Sequence, residues 1–190
     1  MKLILASASP RRADLLRAAG FSFEILPMPL DERFKRREKP DVAVVRLAVA
    51  KAAAAASLRP GAVVIGADTT VVVRGQALGK PVDAEDARRM LKLLSGRSHE
   101  VLTGVSVTAR GRRLAHVEKT RVRMARLSDA EIAWYVASGE PADKAGAYAV
   151  QGLASRFIKA IDGSYSNVVG LPISSLYNLL KELGYDILAT

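Results

Sequence analysis

The stretch VVIGADTTVVV, residues 63–73, decides how the rest of this sequence is interpreted. Its side chains are mostly β-branched and apolar, which is typical of strands that are buried on both faces of a sheet. Asp68 stands in the middle, where an unpaired carboxylate is costly to bury. We therefore expect Asp68 to bind a metal ion or to act as a general base. The alternative is that the strand ends there, in a turn at Thr69-Thr70.

Helices and strands alternate on both sides of this stretch. The predicted elements are a strand at 2–6, a helix from Ser9-Pro10 to Gly20, an alanine-rich helix from Asp41 to before Pro60, a helix after Asp83, a hairpin from Glu100 to Arg126, a helix from Ser128 to Gly139, strands near 145–151 and 156–161, and a helix from Pro172 to Gly184. No repeat or linker divides them. The sequence therefore predicts a single domain over residues 1–190, of the α/β or mixed α+β class, with a twisted mixed sheet flanked by helices around a central cleft.

Composition excludes several kinds of chemistry. The 190 residues are 49% hydrophobic and 25% charged, as in ordinary globular proteins. Because there is no cysteine, disulfides, thiolate nucleophiles and cysteine-bound zinc are excluded. His99 and His116 are the only histidines, so a bound metal should be a hard cation held by carboxylates, namely Mg²⁺, Mn²⁺ or Ca²⁺. We expect His99 to be a structural hydrogen-bonding residue.

Charge and the N-terminal sequence give expectations about partners and location. The formal net charge of +10 predicts attraction to polyanions. Seven Lys or Arg residues and one acid lie between Arg110 and Arg126, so a nucleic-acid-binding ribbon is one alternative, but aromatic residues for base stacking make up only 5% of the chain. The apolar start of the chain gives way to charge at Arg11 and Arg12. We therefore expect no signal or membrane segment there, and a cytoplasmic protein.

Several segments have the residue types of a phosphate site. SASPRR, residues 7–12, brings two hydroxyls and two guanidinium groups to the start of a helix, where free N–H groups and the helix dipole favour an anion. An ordinary helix cap with two solvated arginines is the alternative. Taken singly, each of the other charged candidates also has an ordinary explanation. Asp31-Glu32 could belong to a solvated loop, Lys51 could be a surface lysine of its helix, and Lys80 could lie in an exposed turn.

Taken together, these segments resemble one family of enzymes. Eight motifs occur in order: SASPRR (7–12), DE (31–32), RLAVAKA (46–52), GADTTV (66–71), GKP (79–81), LSGRSHEVLTGV (94–105), DKAGAYAVQG (143–152) and GSYSNVVGLP (163–172). This order resembles the Maf family of nucleotide pyrophosphatases along nearly the whole chain. The resemblance implies a Maf/inosine-triphosphatase-like fold and hydrolysis of a nucleoside triphosphate to its monophosphate and pyrophosphate. It also implies a homodimer and a divalent metal cofactor, Mg²⁺ or Mn²⁺.

The resemblance also assigns roles to individual residues. Asp68 would be the general base and, with Glu32, a ligand of the metal. The phosphates would be bound by a pair of lysines and by the start of the first helix: Lys51, Lys80, Ser7, Ser9 and Arg12. GSYSNVVGLP would line the base pocket, or else simply form a turn into the last helix.

Three positions distinguish the branches of the family. They are Arg11, Thr69 and Gln151 here, and the trio resembles the branch that prefers dTTP and UTP, or modified pyrimidine nucleotides. The branch that acts on methylated GTP has tryptophan in place of Arg11 and glutamate in place of Gln151. Glutamine can donate and accept hydrogen bonds at a pyrimidine edge, whereas glutamate suits the donor-rich edge of guanine. The alternative for Gln151 is an ordinary polar residue at a strand end. The alternative for the whole protein is an interaction protein that acts in septum formation by binding, without hydrolysis.

Overall fold

The computed structural model describes residues 1–186. Its strands are β1 (Leu3–Leu5), β2 (Glu24–Ile25), β3 (Val63–Val73), β4 (Gln76–Leu78), β5 (Ser98–Ala109), β6 (Arg112–Met124) and β7 (Ile158–Asp162). Its α-helices are α1 (Pro10–Ala18), α2 (Pro40–Leu58), α3 (Ala84–Leu94), α4 (Asp129–Ala137), α5 (Tyr165–Val169) and α6 (Ile173–Glu182). The prediction of a mixed α/β fold with a mixed sheet flanked by helices is confirmed.

The chain divides into two compact units, and the first contains Met1–Asp68, Thr103–Glu118 and the described residues from Gly170 onward. Its strands run in the order β2-β1-β3-β5-β6. β1 is parallel to both of its neighbours, with Ile4 paired to Glu24 on one side and to Val64 on the other. The prediction of a single domain, which also covers residues 187–190 outside the described part, remains a prediction.

The two faces of the sheet in this unit bury different helices. Odd-numbered residues of β3, such as Val63 and Ile65, pack in a core with Leu16 of α1 and Leu176 of α6. Even-numbered Val64 packs instead with Ala52 and Ala55 of α2. Because side chains alternate along a strand, Asp68 lies on the same face as Val64, which is the face covered by α2.

Two glycines allow α2 to lie unusually close to this face. A Cβ atom added to Gly66 of β3 would lie 2.1 Å from the carbonyl oxygen of Ala48, and one added to Gly104 of β5 would lie 2.3 Å from that of Val44. Such contacts are impossible without movement of the helix backbone. The close approach therefore depends on the absence of a side chain at both positions, and it brings Lys51 of α2 up to β3.

Gly66→Ala is accordingly expected to destabilise the protein by about 1–3 kcal/mol, the usual cost of overpacking a well-packed core. The change should also lower activity, because α2 must shift away from Asp68. Urea unfolding of the variant measures the loss. Gly79→Ala is the matched control, since a Cβ there meets no atom within 4 Å. Equal stability of the two variants would show that the helix does not need this close approach.

The second unit contains Thr69–Leu102 and Lys119–Val169, and its strands run in the order β3-β5-β6-β7 with β4 paired to β3. Both predicted helix caps are present: the Asp83 side chain accepts from Asp86 N, and Ser128 forms a full capping box with Glu131. β4 and β7 pair antiparallel with β3 and β6, respectively. The local cap signals therefore predict α3 and α4 correctly.

The strand predicted near 145–151 is wrong. Residues Ala145–Ala147 form a short 3-10 helix, in which Gly146 and Ala147 have positive φ values of 69° and 59°. A Cβ on Gly146 would lie 2.8 Å from a methyl carbon of Val71, so the chain must turn where it passes β3. The apolar residues that suggested a strand are buried because this segment lies against the core of the unit.

His99 is buried in the second unit, as expected of a structural residue. Its Nε2 lies 2.7 Å from the hydroxyl oxygen of Tyr148, and burial lowers the pKa of its imidazole to about 4. A histidine with this pKa is neutral at physiological pH.

No helix within residues 1–186 combines the length and the apolar character that crossing a membrane requires.

Candidate active site

A cluster of polar side chains lies in the first unit; Ser7, Arg12, Lys51 and Asp68 are buried, where such groups need partners, and Glu32 is half-exposed. Five of the residues predicted for the site meet there, from the end of β1, from α1, from the loop before α2, from α2 and from β3: Ser7, Arg12, Glu32, Lys51 and Asp68. Of these, Lys51 and Asp68 are 5% and 8% exposed. The explanation of Lys51 as a surface lysine and the proposed turn at Thr69-Thr70 are therefore both wrong, because Asp68 lies within the continuous strand β3.

Lys51 joins the two carboxylates. Its Nζ donates to Oδ1 of Asp68 at 2.7 Å and lies 2.5 Å from Oε1 of Glu32. Burial raises the pKa of Asp68 above its usual value, and the nearby ammonium of Lys51 opposes that rise. Asp68 thus combines a position in a strand interior with partial desolvation and a fixed cation, which is the environment of a group tuned for proton transfer.

Arg12 lies beside this group and holds three parts of the unit together. Its Nη1 donates to Ser7 Oγ at 3.0 Å and to the carbonyl oxygen of Ala67 at 2.9 Å, while Nε donates to the carbonyl oxygen of Gly170 at 2.8 Å. Its charge favours the ionised form of Asp68. The start of α1 therefore carries a buried guanidinium in place of a solvated one.

Ser9 has the expected position but a different contact. It is the residue before α1, yet its side chain makes no capping hydrogen bond. Its backbone N–H donates instead to Ser7 Oγ, with 3.2 Å between the two atoms. The first turn of the helix thus begins without a side-chain cap from Ser9.

Sequence reasoning missed Arg46, which holds the loop that carries Glu32. The Arg46 guanidinium makes a bidentate pair with Glu38, with Nε–Oε1 and Nη2–Oε2 distances of 2.6 and 2.7 Å, and its Nη2 also donates to the carbonyl oxygen of Arg33 at 3.2 Å. This pairing lowers the pKa of Glu38 to about 2. Glu38 lies in a mixed-charge stretch and Arg46 is a single charged residue of α2, so the sequence offers no signal that separates either from a solvated residue.

The other predicted residues lie on α1 and in the second unit. Arg11 is the second residue of α1 and is half-buried. Thr69 follows Asp68 in β3 and belongs to the second unit, as do Lys80 and Gln151. Lys80 lies in the segment after β4, and both it and Gln151 are exposed. Their roles remain predictions.

The cluster has the donor chemistry of a hard-cation site. Within residues 1–186 no group of three or more His, Cys, Asp or Glu side chains has metal-binding geometry. The carboxylates in the cluster are those of Asp68 and Glu32. Asp68 and Glu32 both approach one ammonium nitrogen, which shows that their oxygens can converge on one cation. A Mg²⁺ or Mn²⁺ ion commonly takes one or two carboxylates and completes its coordination with water and phosphate oxygens.

Comparison with known proteins identifies the family of this chain and shows which solved structures have a similar fold. The sequence profile of the family described as "Maf-like protein" matches residues 2–183. The dTTP/UTP pyrophosphatase of Syntrophus aciditrophicus (strain SB) is 51% identical over 185 residues, covering 96% of this chain and 90% of that protein. The protein of the same name from Anaeromyxobacter dehalogenans (strain 2CP-C) is 52% identical, covering 98% and 96%. The Ham1 protein of Staphylococcus aureus shares the fold, with a TM-score of 0.56 at 12% identity over 96% of this chain and 100% of that one.

Proposed function

This chain belongs to the Maf family, and from that premise we propose that it hydrolyses dTTP and UTP to their monophosphates and pyrophosphate. Relatives about 50% identical over nearly the full chain carry the name dTTP/UTP pyrophosphatase. The observation that carries the proposal is the buried Asp68 carboxylate, which lies in a strand interior beside Lys51, Arg12 and Glu32. A structural role alone does not require a carboxylate at that position.

The reaction is attack of water on the α-phosphorus. Asp68 accepts a proton from the water as its oxygen bonds to phosphorus, and the bond from that phosphorus to the α–β bridging oxygen breaks. Pyrophosphate leaves with the electron pair of that bond. The raised pKa of Asp68 makes it a stronger base than an ordinary aspartate, while the charges of Lys51 and Arg12 favour its ionised form.

Fixed positive charge provides the binding and stabilisation that a triphosphate needs. Arg12 and Lys51 supply two cations within the cluster, and we propose Lys80, Ser7 and Ser9 as further phosphate contacts. Charge-assisted hydrogen bonds of this kind contribute about 1.5–3 kcal/mol each. A divalent cation held by Glu32 and Asp68 would neutralise phosphate oxygens and polarise the phosphorus.

Base selection is assigned to Arg11, Thr69 and Gln151. The amide of Gln151 both donates and accepts, which matches the edge of thymine or uracil. We also propose that the protein acts on free nucleotides in the cytoplasm as a homodimer, as the family resemblance implies. Under this proposal the basic residues of the β5–β6 hairpin are a solvated face and do not form a nucleic-acid site.

A panel of nucleoside triphosphates with Mg²⁺ or Mn²⁺ and detection of pyrophosphate tests the proposal. We expect dTTP and UTP to give kcat/KM values at least about tenfold above those of GTP and methylated GTP, the factor that one or more base-specific hydrogen bonds supply. Equal values for UTP and methylated GTP would refute the assigned selectivity. Absence of pyrophosphate with every nucleotide would refute the enzyme altogether.

A further inference from the structure

Gln151 lies in a tight turn of the second unit. The turn Ala149–Gly152 is closed by a hydrogen bond from the Gly152 N–H to the carbonyl oxygen of Ala149, at 3.1 Å. Ala149 and Val150 are buried, whereas Gln151 is exposed and is the only polar side chain of the turn. The direction of the Gln151 amide is therefore set by how firmly the backbone of this turn is held.

Tyr135 of α4 holds the first residue of the turn. Its hydroxyl oxygen accepts from the Ala149 N–H at 3.2 Å, and the hydroxyl donates to Oε1 of Glu140 at 2.7 Å. The tyrosine ring is fully buried and packs edge-on against Phe157, with 6.1 Å between the ring centroids. Tyr135 is thus a rigid support for the backbone of Ala149.

Glu140 holds the other end of the turn. Its Oε2 accepts from the Leu153 N–H at 2.9 Å, and its Oε1 lies 3.4 Å from the Ala154 nitrogen. The carboxylate lies so close to Gly152 that a Cβ at that residue would be 2.2 Å from Oε2. One carboxylate therefore anchors the residues directly after the turn and, through Tyr135, the residue at its start.

We infer that Glu140 and Tyr135 are positioning residues for base selection, because together they fix both ends of the turn that presents Gln151. This inference rests on the proposed function, in which Gln151 recognises the pyrimidine base. A side chain that reads a base by hydrogen bonds must be pre-organised, since a loosely held amide can adapt to other bases. Neither residue touches the nucleotide in this account, so the expected effect is on discrimination.

The test compares Glu140→Ala with the wild-type enzyme, using kcat/KM for UTP divided by kcat/KM for GTP. We expect this ratio to fall about tenfold, the factor that corresponds to one lost hydrogen bond to the base. Tyr135→Phe keeps the ring but removes the hydroxyl, so it should lower the same ratio in a protein with an intact core. In a Gln151→Ala background, where the amide is absent, Glu140→Ala should change the ratio no further.

Glu131→Ala is the matched control. Glu131 is also a carboxylate of the second unit that accepts from a backbone N–H, but that N–H belongs to Ser128, where Glu131 caps α4. Its loss should lower the thermal midpoint and leave the UTP-to-GTP ratio unchanged. Amide hydrogen exchange gives a readout that is independent of activity: protection of Ala149 and Leu153 should drop in Glu140→Ala and persist in Glu131→Ala.

The outcomes separate this inference from the function on which it rests. A wild-type enzyme without preference for UTP over GTP would contradict the proposed function. A selective wild type whose ratio survives both Glu140→Ala and Tyr135→Phe would overturn the inference alone. Equal loss of activity on every nucleotide, with the ratio intact, would likewise assign these residues to stability and overturn it.

Discussion

Asp68→Asn is expected to lower kcat for dTTP hydrolysis by about a thousandfold, within the range that a general base contributes. Asparagine has the same shape as aspartate, but its amide cannot accept a proton from the attacking water. The variant should fold normally, because Lys51 keeps the carboxylate of Glu32 as its partner at 2.5 Å. Steady-state kinetics with dTTP and circular dichroism of the same samples separate catalysis from folding.

Asp14→Asn provides the control for the Asp68 variant. Asp14 lies on the exposed side of α1 and pairs with Arg17 at 2.9 Å in a surface ion pair. Surface pairs of this kind contribute little to stability, and Asp14 has no role in the proposed reaction. We expect wild-type kinetics from Asp14→Asn. A kcat for Asp68→Asn within about fivefold of wild type would remove Asp68 from the role of general base.

Lys51→Met is expected to have the largest effect on stability. The change leaves the Asp68 carboxylate buried without its cation, and breaking a buried pair in this way costs about 3 kcal/mol or more. Methionine keeps most of the apolar stem, so little packing is lost with the charge. Urea unfolding at pH 7.5 measures the change, and activity should fall with it because a phosphate contact is removed.

The loss in Lys51→Met should depend on pH in a defined direction. Burial already raises the folded-state pKa of Asp68 above its unfolded value, and removal of Lys51 raises it further. Folded protein then binds the Asp68 proton more tightly than unfolded protein, so stability is greatest at low pH and is lost as pH rises through the raised pKa. We therefore expect a smaller difference from wild type at pH 5 than at pH 7.5.

Lys92→Met is the matched control for this variant. Lys92 pairs with Asp129 at 3.0 Å, but the two side chains are 60% and 86% exposed. Loss of such a pair costs less than about 1 kcal/mol and should show little dependence on pH between 5 and 7.5. Similar losses for Lys51→Met and Lys92→Met would mean that the Lys51–Asp68 pair has no special energetic role.

The sequence predicts this fold best where the signals are local. Ser128 with Glu131 and Asp83 with Asp86 begin their helices as expected, because a cap needs only residues within one turn. The segment after Lys144 was predicted wrongly because its conformation depends on contact between Gly146 and Val71, which are far apart in the chain. Burial in a core produces the same apolar pattern in a strand and in an irregular segment.

In the candidate site, too, the sequence predicts local features better than features that depend on long-range contacts. Asp68 could be recognised from the sequence because a carboxylate conflicts with its apolar surroundings. Lys51 could be identified only through its resemblance to the Maf motif, because its burial depends on Gly66 and Gly104, which allow α2 to lie close to the sheet. Glu140 gave no signal either, because its role arises from three backbone and hydroxyl donors that only the folded chain brings together.

Phosphorus-31 NMR of UTP incubated with the wild-type protein and Mg²⁺ tests whether Asp68 directs water to the α-phosphorus, because it identifies the bond that is broken. We expect loss of the three UTP signals and appearance of UMP and pyrophosphate in equal amounts, at a rate about a thousandfold lower in a parallel Asp68→Asn sample. Formation of UDP and orthophosphate by the wild type, or of pyrophosphate at an undiminished rate by the variant, would contradict this expectation.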